Sequence, residues 1–161
     1  MCGADKPERG LLCGRLWTAG ILFLAGSLNA SAETSNFISA DAALLESEHA
    51  LEMIDKGRSA DVWDASSSVM KGSVTREDFA SSTDTDRLQS GPIKTRTWLS
   101  VSQVQYTPEN PQGQPPGSYM NIAYLSLNSL DKKFRELISL RLEADRTWRV
   151  SGYVLQQPSK K

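Results

Sequence analysis

Two hydrophobic periods divide this chain. In "SADAALLESEHALEMIDKG", Ala43, Leu44, Ser47, Ala50, Leu51 and Ile54 recur at three- and four-residue spacing, which places them on one face of a helix. Ser39 can cap its start, and Lys56-Gly57 ends it because Gly accepts the left-handed position beyond a helix C-terminus. "RSADVWDASSSVMKG" predicts a second helix. Val62, Trp63, Ser66, Val69 and Met70 form its buried stripe, Trp63 anchors it to the first helix, and Gly72 ends it. In "SVTREDFA", Thr75 caps a third helix with Asp78 at N3, and Val74 can staple onto Phe79. "SGP" at 90–92 stops it.

After Pro92 the period drops to two. "IKTRTWLSVSQVQY", "YMNIAYLSLN", "KFRELISLRLEA" and "TWRVSGYVLQ" alternate as strands, and the Pro/Gly-rich "TPENPQGQPPGS" is a long loop after the first of them. Three N-terminal helices packed on one face of a four-stranded antiparallel meander define an α+β fold. For strands three and four, a three-residue loop (Ala144, Asp145, Arg146) would pair Leu142 with Trp148, Leu140 with Val150, Ile138 with Gly152 and Glu136 with Val154. This register gathers apolar side chains on one face, and it requires Arg146 in the left-handed region. A four-residue connection at 129–132 would set Leu127 against Phe134, Leu125 against Glu136, Ala123 against Ile138 and Asn121 against Leu140.

Glu136 breaks this pattern, because it falls on the apolar alternation with Phe134, Ile138, Leu140 and Leu142. A lone buried carboxylate is costly, so Glu136 must be paired, protonated or at a rim. Arg96 is the partner on offer. Its strand reads two ways, with either Ile93, Thr95, Thr97, Leu99 and Val101 inward, or Arg96, Trp98 and Val104. An inward guanidinium could take both carboxylate oxygens. A structural ion pair ranks first, and a ligand-contacting polar group second.

Composition narrows the classes. Lys6, Arg9 and Arg15 precede the apolar "LWTAGILFLAGSL", and "NASA" supplies Ala30-x-Ala32, the parts of a secretory signal peptide. The expected division is a signal segment at 1–32 and one domain at 33–161, so the mature protein is expected to be exported to the periplasm or secreted, with no stable membrane span. An uncleaved anchor is the alternative, although the apolar run falls short of the roughly 20 residues of a span. Both cysteines, Cys2 and Cys13, lie in the segment to be removed, which excludes disulfide and thiol chemistry from the remainder. Removing three basic and two acidic residues from totals of 18 and 19 leaves 15 and 17, a formal charge of −2. This argues against nucleic acid as a partner.

"IDKGRSADVWDAS", "SGPIKTRTW", "PPGSYMNIAYLS" and "FRELISLRLEADRTWRVSGYVL", in this order, resemble the DUF4019 family of bacterial exported proteins, which has no assigned function. The resemblance runs from about Leu44 to Leu155, and "TWRVSGYV" is its most specific part. It implies signature positions at Trp63, Arg96, Tyr119, Glu136, Trp148, Gly152 and Tyr153. The family pattern favours Asp-Gly where this chain has Asp145-Arg146. The layout also resembles the wider NTF2-like (cystatin-like) class of cone-shaped α+β folds, which implies room for a small molecule between sheet and helices.

Three functional expectations follow. The first is a non-catalytic module that holds a small apolar or amphipathic molecule, with Glu136, Arg96, Tyr119 and Asn121 as candidate contacts. The second is a cell-envelope interaction module, whether a homodimer or one docked to another protein, that uses an outer sheet face bearing Tyr153, Tyr124, Ile122, Leu155 and Met120. Covering of that face by the 107–118 loop or the C-terminal tail is the alternative there. The third and weakest is a carboxylate-based isomerase with Glu136 as base and a Tyr as donor. His49, the only histidine, should face water, and no cofactor or metal is expected.

Overall fold

The computed structural model describes residues 39–111 and 113–156, all within one compact unit. The expected signal segment lies outside the described residues. Four helices, α1 (Ala40–Asp55), α2 (Ser59–Asp64), α3 (Ser68–Ser73) and α4 (Arg76–Ser90), precede four strands, β1 (Ile93–Tyr106), β2 (Gly117–Asn128), β3 (Lys133–Leu142) and β4 (Trp148–Gln156). The strands form one antiparallel sheet in the order β1-β2-β3-β4. The helices bury their apolar stripes against one face of it, so the fold is α+β as expected.

Helix starts follow the side-chain caps. Ser39 accepts from the Asp41 N–H, and Thr75 accepts from the Asp78 N–H. Gly57, at φ 70°, turns the chain out of α1. The expected second helix is two short ones. Ser67 is buried, caps α3 by accepting from the Met70 N–H, and donates its own N–H to the Val150 carbonyl of β4 at 2.9 Å. A continuous helix would have satisfied these groups internally, so the Ser-rich stretch splits it and ties it to the sheet. Trp63 packs against the core and donates its indole N–H to the Val74 carbonyl at 3.0 Å.

The β3–β4 turn forms as expected, with Arg146 at φ 65° and Leu142 opposite Trp148. The other registers need correction. The β2–β3 turn is one residue tighter, because the Asn128 side chain accepts from the Leu130 and Lys132 N–H groups and Asp131 takes a φ of 57°. Tyr124, not Leu125, therefore faces Glu136, and Met120, not Asn121, faces Leu140. A one-residue slip exchanges faces. Met120, Ile122 and Tyr124 are thus buried in the core, while Tyr119 and Asn121 occupy the opposite face. A register shift in β4 beyond Val150 has the same effect there, placing Tyr153 opposite Ile138 and Leu155 opposite Glu136. All five residues expected on the outer face, Tyr153, Tyr124, Ile122, Leu155 and Met120, therefore belong to the helix-covered face.

In β1 each of the two expected alternations holds for part of the strand. Arg96 and Trp98 face the helices opposite Ser126 and Tyr124. A shift between Trp98 and Ser100 then brings Val101 and Gln103 to that side, opposite Ile122 and Met120, and sends Val104 to the other.

Candidate functional site

Glu136 is fully buried in the middle of β3, and four elements meet around it. Arg96 on β1 donates from Nε to Glu136 Oε2 at 3.0 Å, and its two terminal nitrogens grip Asp55 at 2.6 and 2.7 Å. Arg87, in the last turn of α4, donates from Nη1 to Glu136 Oε1 at 3.0 Å and lies 2.7 Å from Asp55 through Nη2. Two carboxylates and two guanidiniums thus alternate around one neutral cluster. The forked donors of arginine suit this geometry, since each can serve two carboxylates at once.

Local structure explains each position. Asp55 ends α1, where the helix dipole opposes a negative charge and no basic residue stands in the last turn. The two arginines compensate. Arg87 sits at the favourable end of α4, one turn beyond Thr83 and two beyond Phe79 on its buried stripe. Burial works against the charge of Arg96, but the hydrogen bonds and fields of Asp55 and Glu136 more than offset it and hold the guanidinium above its ordinary pKa. The Arg87 guanidinium also lies 5.8 Å from the centre of the Tyr153 ring. Burial, followed by the field of Glu136, raises the Tyr153 phenol above its usual pKa. Its buried hydroxyl has no hydrogen-bond partner among the described residues.

The expected pairing of Glu136 with Arg96 is present. Asp55 and Arg87 were missed. Their signals were available in outline, since Arg87 continues the 79–83 stripe and Asp55 lies one turn after Leu51. Tyr119 and Asn121 do not join the cluster. Tyr119 donates its hydroxyl to the Pro115 carbonyl at 2.9 Å and packs edge-on against Tyr106, so the long loop covers it. Asn121 accepts from the Ser139 hydroxyl at 2.7 Å. These two residues line a separate hollow of about 180 Å³ on the far side of the sheet.

Two larger clefts flank the charge cluster, and Asp55 lines both. One, of about 450 Å³, has walls of Ile54, Leu88, Pro92 and Ile93, with Asp55, Asp84 and Arg87 as its polar groups. Asp84 is held by the Ser59 hydroxyl at 2.6 Å. The other, of about 310 Å³, lies between α1 and β1 and is lined by Glu48, Leu51, Glu52, Arg96, Trp98 and Tyr124. Tyr124 shares a 2.7 Å hydrogen bond with the buried Ser47.

Among the described residues no group of three His, Cys, Asp or Glu side chains is placed to hold a metal ion, and no helix is long and apolar enough to cross a membrane. The class defined by this fold and cluster is an α+β domain whose helices and sheet are clasped by buried, mutually neutralised charges. The chain belongs to the family described as "Protein of unknown function (DUF4019)", whose model matches residues 46–153. No curated protein and no solved structure matches it.

Proposed function

We propose that this is an exported, non-catalytic binding protein that holds a small amphipathic molecule in the cleft between the ends of α1 and α4 and the start of β1. The cleft itself carries this reading. Its volume of about 450 Å³ lies within the usual range for small-molecule sites, and an apolar wall faces a few fixed polar groups. Leu88 lines this cleft and is 84% exposed, so an apolar side chain is accessible there to a ligand. Asp55 and Arg87 are held in place by the charge cluster, so the polar border of the cleft is preorganised. Helices laid on one face of an irregular sheet are compatible with the cone-shaped NTF2-like class, where a ligand would lie between the layers. Here the interior behind Glu136 is filled, and the cleft opens at the side of that cluster.

An isomerase would need Glu136 free to take a proton, whereas two guanidiniums engage both of its oxygens. Docking through the far face of the sheet loses its basis, because Tyr124 and Ile122 lie in the core. The reading is tested by native mass spectrometry of protein recovered from cells, compared with its denatured mass. An additional small mass should be present in the native protein and lost from Leu88→Arg, a change at an exposed position that leaves the fold intact. A bound mass unaffected by Leu88→Arg would place the ligand elsewhere, and a bare native protein would count against a carrier. The denatured mass also reports whether the chain begins at Glu33.

A further inference from the structure

We propose that β1 is a dimerisation edge, and that its occupant is the β1 strand of a second copy of this chain, paired antiparallel across a two-fold axis at Gln103. This surface is separate from the cleft assigned above. β1 is one of the two sheet edges and has 14 residues. From Thr97 to Tyr106 it contains no charged residue and no proline, although edge strands are ordinarily guarded by lysine or proline. Apolar side chains are exposed along it: Trp98 at 53%, Leu99 at 53% and Val101 at 42%. Its one irregularity in this stretch lies between Trp98 and Ser100, and from Ser100 to Tyr106 every residue pairs with β2 in unbroken register.

The opposite edge explains why the partner strand is β1 and not β4. The Val150 carbonyl of β4 already accepts the Ser67 N–H, and β4 shifts register just beyond that point. A head-to-tail sheet running from β1 to β4 would have to displace that contact and follow that shift, whereas β1 against β1 meets neither over 100–106. Such a pair is isologous and closes on itself, giving a dimer and not a fibre. An uncharged strand also meets its own copy without like-charge repulsion, which would otherwise be built into any self-pairing.

The regular stretch 100–106 pairs fully with its copy when Gln103 faces Gln103 of the other chain, with Ser100 opposite Tyr106. Paired side chains on one face then stand about 5 Å apart. Gln103 is exposed, so charge placed there perturbs the interface and not the fold.

Sedimentation velocity across the micromolar range should show the purified protein passing from monomer to dimer. Gln103→Lys and Gln103→Glu should each weaken the dimer by at least about tenfold, with unchanged circular dichroism, because each sets like charges opposite one another. An equimolar mixture of the two variants should restore a dimer containing one chain of each. A wild-type monomer throughout the range, a dimer indifferent to both substitutions, or a mixture that stays monomeric would each overturn the proposal. Growth beyond the dimer would overturn the closed pairing.

Discussion

Removing one charge from the Asp55–Arg87–Arg96–Glu136 cluster should cost far more than removing two opposite ones. The wild-type cluster holds two negative and two positive groups and is neutral. Glu136→Gln leaves Asp55 alone against two guanidiniums, and Arg96→Met leaves two carboxylates against Arg87. Breaking a buried pair this way costs about 3–5 kcal/mol, much of it the penalty of an uncompensated charge. Glu136 is fully buried, so the Gln variant should lie near 3 kcal/mol even with its shape conserved, by about that principle. Arg96 retains some contact with water, so its loss should cost less, about 2 kcal/mol. In a unit of this size 1 kcal/mol corresponds to about 4 °C, so Tm should fall by roughly 12 °C and 8 °C respectively.

The double variant keeps Asp55 with Arg87 and is neutral again. It should be more stable than the sum of the two losses implies by about 1.5–3 kcal/mol. Urea denaturation at pH 7, followed by tryptophan fluorescence with the slope m checked for constancy, measures all three. Additive losses within about 0.5 kcal/mol would show that Glu136 and Arg96 do not act together, and the clasp as argued would fail.

Other residues give narrower tests. Tyr153→Phe removes a buried hydroxyl without a partner and should stabilise by up to about 1 kcal/mol, read as Tm. The Tyr153 pKa is raised in the folded state, so the wild type keeps this group's contribution below the ordinary tyrosine pKa and loses it as pH rises beyond. The advantage of Phe should therefore grow above about pH 10. Burial raises the pKa of the Glu46 carboxyl, so its contribution is present below the ordinary carboxylate range and lost as pH rises through the higher folded value. Glu46→Gln should raise Tm at pH 7 and leave it unchanged at pH 4; an equal shift at both would refute the cause. Arg146→Gly relieves a φ of 65° and should stabilise by roughly 0.5–1 kcal/mol, whereas a loss would show that the Arg side chain matters more than the turn. Ser67→Ala removes the α3 cap and should cost about 1 kcal/mol in the same denaturation assay.

What could be read from the sequence depended on how many alternatives each pattern allowed. α1 was legible because stripe, cap and stop agreed, and α4 because its cap and stop did. The β3–β4 turn was legible because only one loop length collects Leu140, Leu142, Trp148 and Val150 on one face. β2 defeated the same reasoning, since "YMNIAYLSLN" is apolar on both alternations and its register rests on an Asn128 side chain that folds the turn. The register shift in β4 was hidden too. It lies beside the contact from Ser67, a residue more than eighty positions earlier that read as the interior of a helix.

Glu136 shows the limit most clearly. Its misfit among apolar neighbours announced a buried carboxylate, and β1 supplied one guanidinium at strand spacing. The other two members sit at helix ends, where Asp and Arg usually face water, so only their places one turn after Leu51 and Thr83 hinted at burial. Only packing α1 and α4 across β1 and β3 brings Asp55 and Arg87 inward. Once they meet, the requirement that buried charge sum to zero explains why two arginines and a second acid accompany Glu136. One arginine could have neutralised that carboxylate. The second, Arg87, requires Asp55, and the completed set fixes both helix ends to the sheet while forming the polar border of the two clefts on either side. Charge balance in the core and the polar edge of the proposed binding cleft are thus set by the same four side chains.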